Sequence, residues 1–396
     1  MSRTTGLILS GGGARAAYQV GVLDAIAQLR RTHHAGRDNP FPVICGTSSG
    51  AINAAALACG ADDFDASVDG LTEVWRNFHV QQVYQADVRA MVGAGLRWLA
   101  TLSLGWMMTR QSMHPRSLLN NAPLDQLLRK RIPLERLPGL LRSGHLQALA
   151  ITASSYTHGE HVTFYDSRHP ITPWTRTQRV AQRGPLTHAH LLASSAIPFV
   201  FPAVALSGPH GPAYFGDGAM RQLAPLAPAI HLGADRILVI GSGRLLEPPP
   251  LQAPSPAEPS LAHIAGHALN SIFLDSLSVD LERLQRINQT VALIPPELRR
   301  KTHLKPVELL LITPSERLDE IAAKHRRTLP HTVQNLLGIL GARNGSSTPQ
   351  GNALLSYLLF EAEFTRELMA LGHADALAQR EEILRFFGWG HPAESA

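Results

Sequence analysis

Read as a pattern of apolar and polar positions, the chain opens with short, continuously apolar runs, each followed by small residues and then a helical period. Gly6 to Ser10 (GLILS) is such a run; it stops at Gly11-Gly12-Gly13, and an alanine-rich segment from Ala14 to about Leu29 follows. Phe41 to Cys45 (FPVIC) repeats the plan, with Gly46 to Gly50 as the turn and Ala51 to Cys59 as the helix. An uninterrupted apolar run suits a strand buried on both faces, and two strand-turn-helix units in succession predict a parallel sheet with crossover helices. Further strands are expected at Leu149 to Ser154, Val162 to Tyr165, Ala213 to Phe215, Arg236 to Ile240 and Val307 to Ile312. Between them, Leu191 to Pro202 (LLASSAIPFVFP) reads as a small-residue helix ended by its prolines.

The second half is more helical. Phe273, Leu277, Leu281, Leu284 and Ile287 recur at spacings of three and four with charged residues between them, which predicts an amphipathic helix. The tail from Glu316 to Trp389 reads as several helices, among them one over Ala353 to Ala370. Glu247 to Pro259 carries six prolines and must be extended. Because a buried strand is expected beyond it, residues 243–260 read as an insertion loop within one α/β domain, 1–314, with 315–396 as a helical extension packing on it. Met91 to Met108 is apolar but interrupted by Arg97, and at eighteen residues it is marginal for a bilayer span. With Trp98 and Trp106 it fits a helix lying at a lipid interface, or a flap over an apolar cleft.

Composition narrows the classes. An apolar fraction of 44% and a charged fraction of 17% exclude disordered, collagenous and coiled-coil chains. The net charge of +5 comes almost wholly from arginine, since the only lysines are Lys130, Lys301, Lys305 and Lys324. No run of five basic residues occurs, so no nucleic-acid partner is expected. Cys45 and Cys59 form no CxxC or metal pattern, and no apolar signal segment precedes the first glycine turn; a reducing, cytoplasmic setting is the expectation. Nothing in the pattern fixes an oligomeric state.

Chemistry concentrates at the turns. Gly46-Thr47-Ser48-Ser49-Gly50 is a GxSxG match set between a predicted strand and a predicted helix. A nucleophile at such an elbow takes strained dihedrals, and flanking glycines remove side chains that would clash there. Ser48 and Ser49 are equally suited to a plain helix cap. Gly11, Gly12 and Gly13 leave backbone N–H groups free to converge on an anionic oxygen, and Arg15 either stabilises that charge or orients the loop. Gly11, Gly13 and Ala16 also match a dinucleotide-binding GxGxxA, but where that motif needs an acid the second strand has Cys45 and the serine elbow.

Asp217 stands between Gly216 and Gly218, which let a carboxylate reach into a crowded site, although Asp-Gly is also a turn signal. Among nineteen histidines, His231 and His267 follow Asp217 and would serve a Ser-His-Asp arrangement. His33, His34, His188 and His190 lack further ligand-like neighbours, so neither a metal nor a cofactor is expected.

GGGARAAYQVGVL, GTSSG, ASSAIPFVFP and DGA, in that order, resemble the patatin-like phospholipase family over about Leu7 to Arg221, extending to the strand ending near Pro314. The resemblance implies a three-layer α/β/α fold with a mostly parallel sheet and a Ser-Asp dyad without histidine. Ser48 resembles the nucleophile and Asp217 the general base. Gly11, Gly12, Gly13 and Arg15 resemble the oxyanion loop, and Gly46 and Gly50 the nucleophile elbow. The implied activity is that of a phospholipase A or lysophospholipase acting on phospholipid or another acyl-ester lipid, cytoplasmic or peripherally membrane-bound. Residues 1–314 would then be the catalytic domain. Ala16 stands where family members commonly have glycine, and DGA stands for DGG; both add one methyl away from the reacting atoms. Asn53 and Asn121 lie near family-like segments and take no role. From a different class, the chain would be a membrane-binding scaffold that keeps the fold without turnover.

Overall fold

The computed structural model describes residues 3–36, 38–84, 117, 119–244, 260–299, 301–302, 304–339 and 351–389. Met91 to Met108 and the proline-rich Glu247 to Pro259 lie outside the described residues.

One mixed sheet forms the middle layer. Its strands are β1 (Thr5–Leu9), β2 (Val43–Thr47), β3 (Ala148–Ser155), β4 (His161–Ser167), β5 (Thr175–Arg176), β6 (Arg179–Arg183), β7 (Val204–Gly208), β8 (Gly211–Asp217), β9 (Arg236–Ile240) and β10 (Glu308–Ile312). The order is β10-β9-β1-β2-β3-β4-β6-β5, with β8 also paired to β3 and β7 to β8. From β10 to β3 every neighbour is parallel, whereas β4 and β8 meet β3 antiparallel. β1 and β2 are buried along their whole length, the burial expected of central parallel strands covered on both sides. The short β5, β6 and β7 carry no continuous apolar run, and the sequence pattern did not single them out.

Alternation along each strand builds two cores. Leu7, Leu9, Ile44 and Ile151 face the helices α1 (Ala17–Thr32) and α2 (Ser49–Ala58) together with the C-terminal helices. Ile8, Val43, Ile237 and Val239 face the other way, against Ala229 of the helix Ala227–His231 and Leu277, Leu281 and Leu284 of the helix Ser276–Leu293. Leu277, Leu281 and Leu284 of the predicted amphipathic stripe are thus the seam of the second layer, whereas Phe273 packs into the first core against Tyr357. A third helix of the first layer, α3 (Phe64–Arg76), starts at Asp63, whose side chain accepts from the Ala66 N–H.

Three predicted helices have different limits. The segment from Ala14 opens as a 3-10 turn, Gly13–Ala16, and only then becomes α1, because the chain must first bend out of the glycine loop. The small-residue helix is His188–Ser194 alone; Pro198 disfavours helical backbone before it, and the chain turns away. The helix expected over Ala353 to Ala370 is two helices, Gly351–Leu358 and Ala362–Ala378. Leu359 and Phe360 insert into the core between them, and the Glu361 carboxylate takes the Val80 N–H at 3.3 Å. Burial of two large apolar side chains outweighs local helix propensity there. The helix Ala362–Ala378 lies so close on α1 that a Cβ on Gly21 would sit 1.9 Å from the Met369 carbonyl oxygen, and one on Gly372 2.2 Å from that of Tyr18.

Candidate active site

β2 ends at Thr47 and α2 begins at Ser49, leaving Ser48 at the corner with φ 55° and ψ −130°. That backbone is costly for any residue with a Cβ, on the order of 1–3 kcal/mol. The corner is tight as well as strained. A Cβ on Gly46 would lie 2.5 Å from Ala51 Cα, and one on Gly50 2.3 Å from the Leu9 carbonyl oxygen. The two glycines therefore let the elbow press against its own helix and against the end of β1. The Ser48 N–H donates to Ser194 Oγ at 2.8 Å, tying the elbow to the small-residue helix.

Asp217 arrives along the same edge of β3 as the elbow, just beyond the end of β2. In the register, Thr47 pairs with Thr152 and Asp217 with Ala153, so one strand aligns the elbow and the carboxylate. Ser48 Oγ donates to Asp217 Oδ2 at 2.6 Å, and the Ala219 N–H donates to Oδ1 at 2.9 Å. Asp217 is fully buried. Burial pushes its carboxyl up to about 7, even though the hydrogen bonds from Ser48 and Ala219 pull it down. A carboxyl poised there exchanges a proton with a bound hydroxyl near neutral pH.

The glycine loop stands next to this pair. A Cβ on Gly11 would be 3.0 Å from Ser48 Cβ, and one on Gly12 would meet Ser242, whose hydroxyl donates to the Gly11 carbonyl. Gly13 has φ +56° and faces the Tyr357 carbonyl. The backbone N–H groups of Gly11, Gly12 and Gly13 have no acceptor among the described residues. The Arg15 guanidinium is engaged by the C-terminal helix Gly351–Leu358. Its Nε donates to Ser356 Oγ at 2.8 Å, its Nη1 donates to Tyr357 Oη at 3.1 Å, and it lies 3.9 Å above the Tyr357 ring. Of the two readings of Arg15, orienting the loop is the one these contacts serve.

An apolar trough of about 310 Å³ includes Gly13, Ser48 and Ser49 in its lining. One face of α2 supplies Ile52, Asn53, Ala56 and Cys59, α3 supplies Leu71, Val74 and Trp75, and the helix Ala122–Arg131 supplies Leu124, Leu127 and Leu128. Each set recurs at helical spacing.

With the sheet, the elbow and the carboxylate in place, residues 7–230 match the patatin-like phospholipase family model. The chain belongs to the patatin-like phospholipase family. Three solved structures are similar to it. VipD from Legionella pneumophila is 14% identical, with 96% of this chain and 67% of that one covered and a TM-score of 0.32. Human GIVD cytosolic phospholipase A2 is 13% identical, with 98% and 60% covered and a TM-score of 0.48. The type III effector ExoU of Pseudomonas aeruginosa is 16% identical, with 100% and 90% covered and a TM-score of 0.29. The chain thus spans less than two thirds of the human enzyme's length. No curated protein matches it.

At both departures from the patatin-like pattern the backbone is hydrogen-bonded. Ala219 supplies its N–H to Asp217 with its methyl buried, and the Ala16 carbonyl accepts from Asn53 Nδ2 at 3.2 Å. Asn53, given no role from sequence, is a buried junction: it also donates to Gln19 Oε1 at 3.1 Å and accepts from Trp75 Nε1 at 2.9 Å. Asn121 is buried at the start of the helix Ala122–Arg131, outside the site. Sequence reasoning gave no role to Ser194, although it stands in the ASSAIPFVFP motif, nor to Thr152 and Gln222, whose partners lie far away in the chain and whose only local signal was polar character within apolar surroundings.

No described histidine bonds to Ser48 or Asp217. His231 stacks on Trp174 at 4.6 Å in the opposite layer, and His188 Nε2 meets the Ile132 carbonyl. His267 lies exposed on the helix Leu261–Asn270. His161 and His190 are each pushed down to about 4 by burial, and both are neutral at pH 7. The thiols of Cys45 and Cys59 are free and buried; burial holds Cys59 up to about 12 and Cys45 higher, so neither is a nucleophile. Among the described residues no three His, Cys, Asp or Glu gather to hold a metal ion, and no helix is long and apolar enough to cross a membrane.

Proposed function

We propose that this chain is a serine lipid acyl hydrolase that cleaves fatty-acyl esters of phospholipids or lysophospholipids through Ser48 and Asp217. The observation that carries the reading is the 2.6 Å Ser48–Asp217 hydrogen bond, with Ser48 in the lining of the apolar trough. Ser48 Oγ attacks the ester carbonyl as its proton passes to Asp217 Oδ2. Negative charge then develops on the carbonyl oxygen, for which the N–H groups of Gly11 to Gly13, without an acceptor among the described residues, would be the donors. Collapse breaks the bond to the alcohol, which leaves with the proton from Asp217. Water attacks the acyl-serine, gives its proton to Asp217, and the fatty acid departs as Ser48 recovers its hydrogen.

The trough suits the acyl half of such a substrate. From Ser49 to Cys59 the α2 floor rises by ten residues at about 1.5 Å each, roughly 15 Å. One leaflet's acyl chains span about half of the ~30 Å hydrocarbon thickness of a bilayer, the same length. In this reading residues 1–314 are the catalytic domain and 315–396 are an extension whose helices hold the glycine loop through Arg15. The substrate lies in membranes, so the protein works at their surface.

The test is fatty acid release from mixed phospholipid and lysophospholipid vesicles, comparing the native chain with Ser48→Ala and Asp217→Asn. Release by the native chain that is lost in both variants is the expected result. Equal release by native chain and Ser48→Ala would reject the mechanism, and no release from any would favour a scaffold without turnover.

A further inference from the structure

The segment that carries Asp217 is fastened to the elbow twice. Its first residue, Asp217, takes the hydroxyl hydrogen of Ser48; five residues on, Gln222 Nε2 donates to Thr47 Oγ1 at 2.8 Å. Two consecutive residues of β2 and the corner thus hold both ends of the short 3-10 turn Gly218–Arg221. Thr47 Oγ1 is in turn 2.7 Å from Thr152 Oγ1, on the strand that registers the elbow against Asp217. All three side chains are more than nine-tenths buried. Between them the turn lies hard on β3, since a Cβ on Gly218 would be 2.2 Å from the Thr152 carbonyl oxygen.

We propose that Gln222, acting through Thr47 and Thr152, is a positioning residue that fixes the Asp217 carboxylate at hydrogen-bond distance from Ser48. The proposal rests on the Ser48–Asp217 reading above and adds to it a group that never touches substrate. The physical need is plain. Asp217 sits at the end of an antiparallel strand whose ladder with β3 stops there, so beyond its own N–H on the Ala196 carbonyl the carboxylate takes its position from the turn that follows, whose Ala219 N–H caps Oδ1. Proton transfer requires the donor and acceptor oxygens to stay within about 3.2 Å, and misplacement by about 1 Å costs on the order of a hundredfold in rate. A buried amide-to-hydroxyl-to-hydroxyl chain has one satisfied geometry, so it sets one position for the turn.

The test compares Gln222→Met, which keeps length and volume without a donor, with Thr47→Val and Thr47→Ser in the same vesicle assay, alongside Ser48→Ala. Gln222→Met and Thr47→Val are expected to lower kcat ten- to a hundredfold with KM within about twofold. Their double variant should be no worse than the poorer single one, because both cut the same link. Thr47→Ser restores the hydroxyl and with it most of the rate. A second readout separates positioning from general loosening. Once the Ser48 hydroxyl no longer supports the ionised carboxylate, the acid limb of the kcat profile moves to higher pH, whereas a smaller folded fraction lowers the rate at every pH alike. Native kcat and native pH midpoint in both Gln222→Met and Thr47→Val would overturn the proposal, as would rate loss that only follows the unfolded fraction. If Ser48→Ala itself keeps native activity, the mechanism fails first; if Ser48→Ala is dead while Gln222→Met is native, only the brace fails.

Discussion

Gly13 and Ser48 stand in the turns above adjacent parallel strands with nearly the same φ, +56° and +55°, yet one is glycine and the other is not. Both turns lead from a five-residue buried strand into a helix of the same layer. The first has only backbone N–H groups to offer, so glycine supplies the left-handed conformation without steric cost. The second, in the proposed mechanism, presents a hydroxyl, and its corner keeps a side chain and stores strain. Support differs accordingly. The strained serine is over-determined by its neighbours, Ser194 at its N–H, Asp217 at its hydroxyl, and Gly46 and Gly50 opening the space. The relaxed glycine loop is held through its backbone, by Ser242 on the Gly11 carbonyl and Gln19 on the Ser10 carbonyl, and through Arg15 on Ser356 and Tyr357 of the C-terminal helices. Strain at a nucleophile persists only where the surroundings enforce it.

The largest effect expected from disturbing this contrast is at Ser48. Ser48→Ala and Ser48→Gly should both lose fatty acid release by roughly 10⁴-fold or more. They should differ in stability: both lack the hydroxyl, but glycine alone escapes the backbone penalty. The glycine variant should therefore be the more stable by about 1 kcal/mol in urea unfolding. Equal midpoints would mean that the corner stores no strain.

Gly13→Ala disturbs the other turn. Its Cβ would lie 2.2 Å from the Tyr357 carbonyl oxygen at a φ that alanine resists, so a loss of about 2 kcal/mol is expected. Release should fall roughly a hundredfold as the N–H groups are displaced. A variant with unchanged kcat would separate the glycine loop from the reacting oxygen.

The finest difference is in pH. The serine turn is coupled to Asp217, which in the proposed mechanism works ionised, so kcat/KM should fall as pH drops through about 7. The midpoint should be the same in Gly13→Ala. Stability runs the opposite way. The Asp217 carboxyl is raised in the folded chain from 3.8 to about 7, so the folded state holds that proton more tightly than the unfolded one. Its contribution to stability therefore declines as pH rises from about 4 to about 7, and Asp217→Asn should remove that slope while abolishing activity. An unchanged slope in Asp217→Asn would assign the titration to another group.

Several parts were legible in the chain because they are local. The runs ending at Gly11 and Gly46 are continuous and apolar, and each is cut off by glycine, so strand, turn and helix follow from adjacent residues. GxSxG and the glycine-flanked Asp217 announce crowded corners for the same reason. The brace at Gln222 was not legible, since a lone glutamine five residues after an aspartate says nothing until β3 brings Thr47 and Thr152 beneath it. Nor was the break at Leu359–Phe360, where helix propensity favours continuation and only the core to be filled overrides it.

The sequence alone determined the strand-turn-helix units, the two-faced burial of the central strands and the residue types at the corners, because these depend on period and steric size over a few neighbours. Tertiary structure decided which oxygen meets which. Ser48 and Asp217 are 169 residues apart, and Arg15 is 342 from Tyr357. Those distances along the chain are closed by strand order and helix packing, where each contact must offset the entropy of ordering both partners. No local pattern encodes that sum.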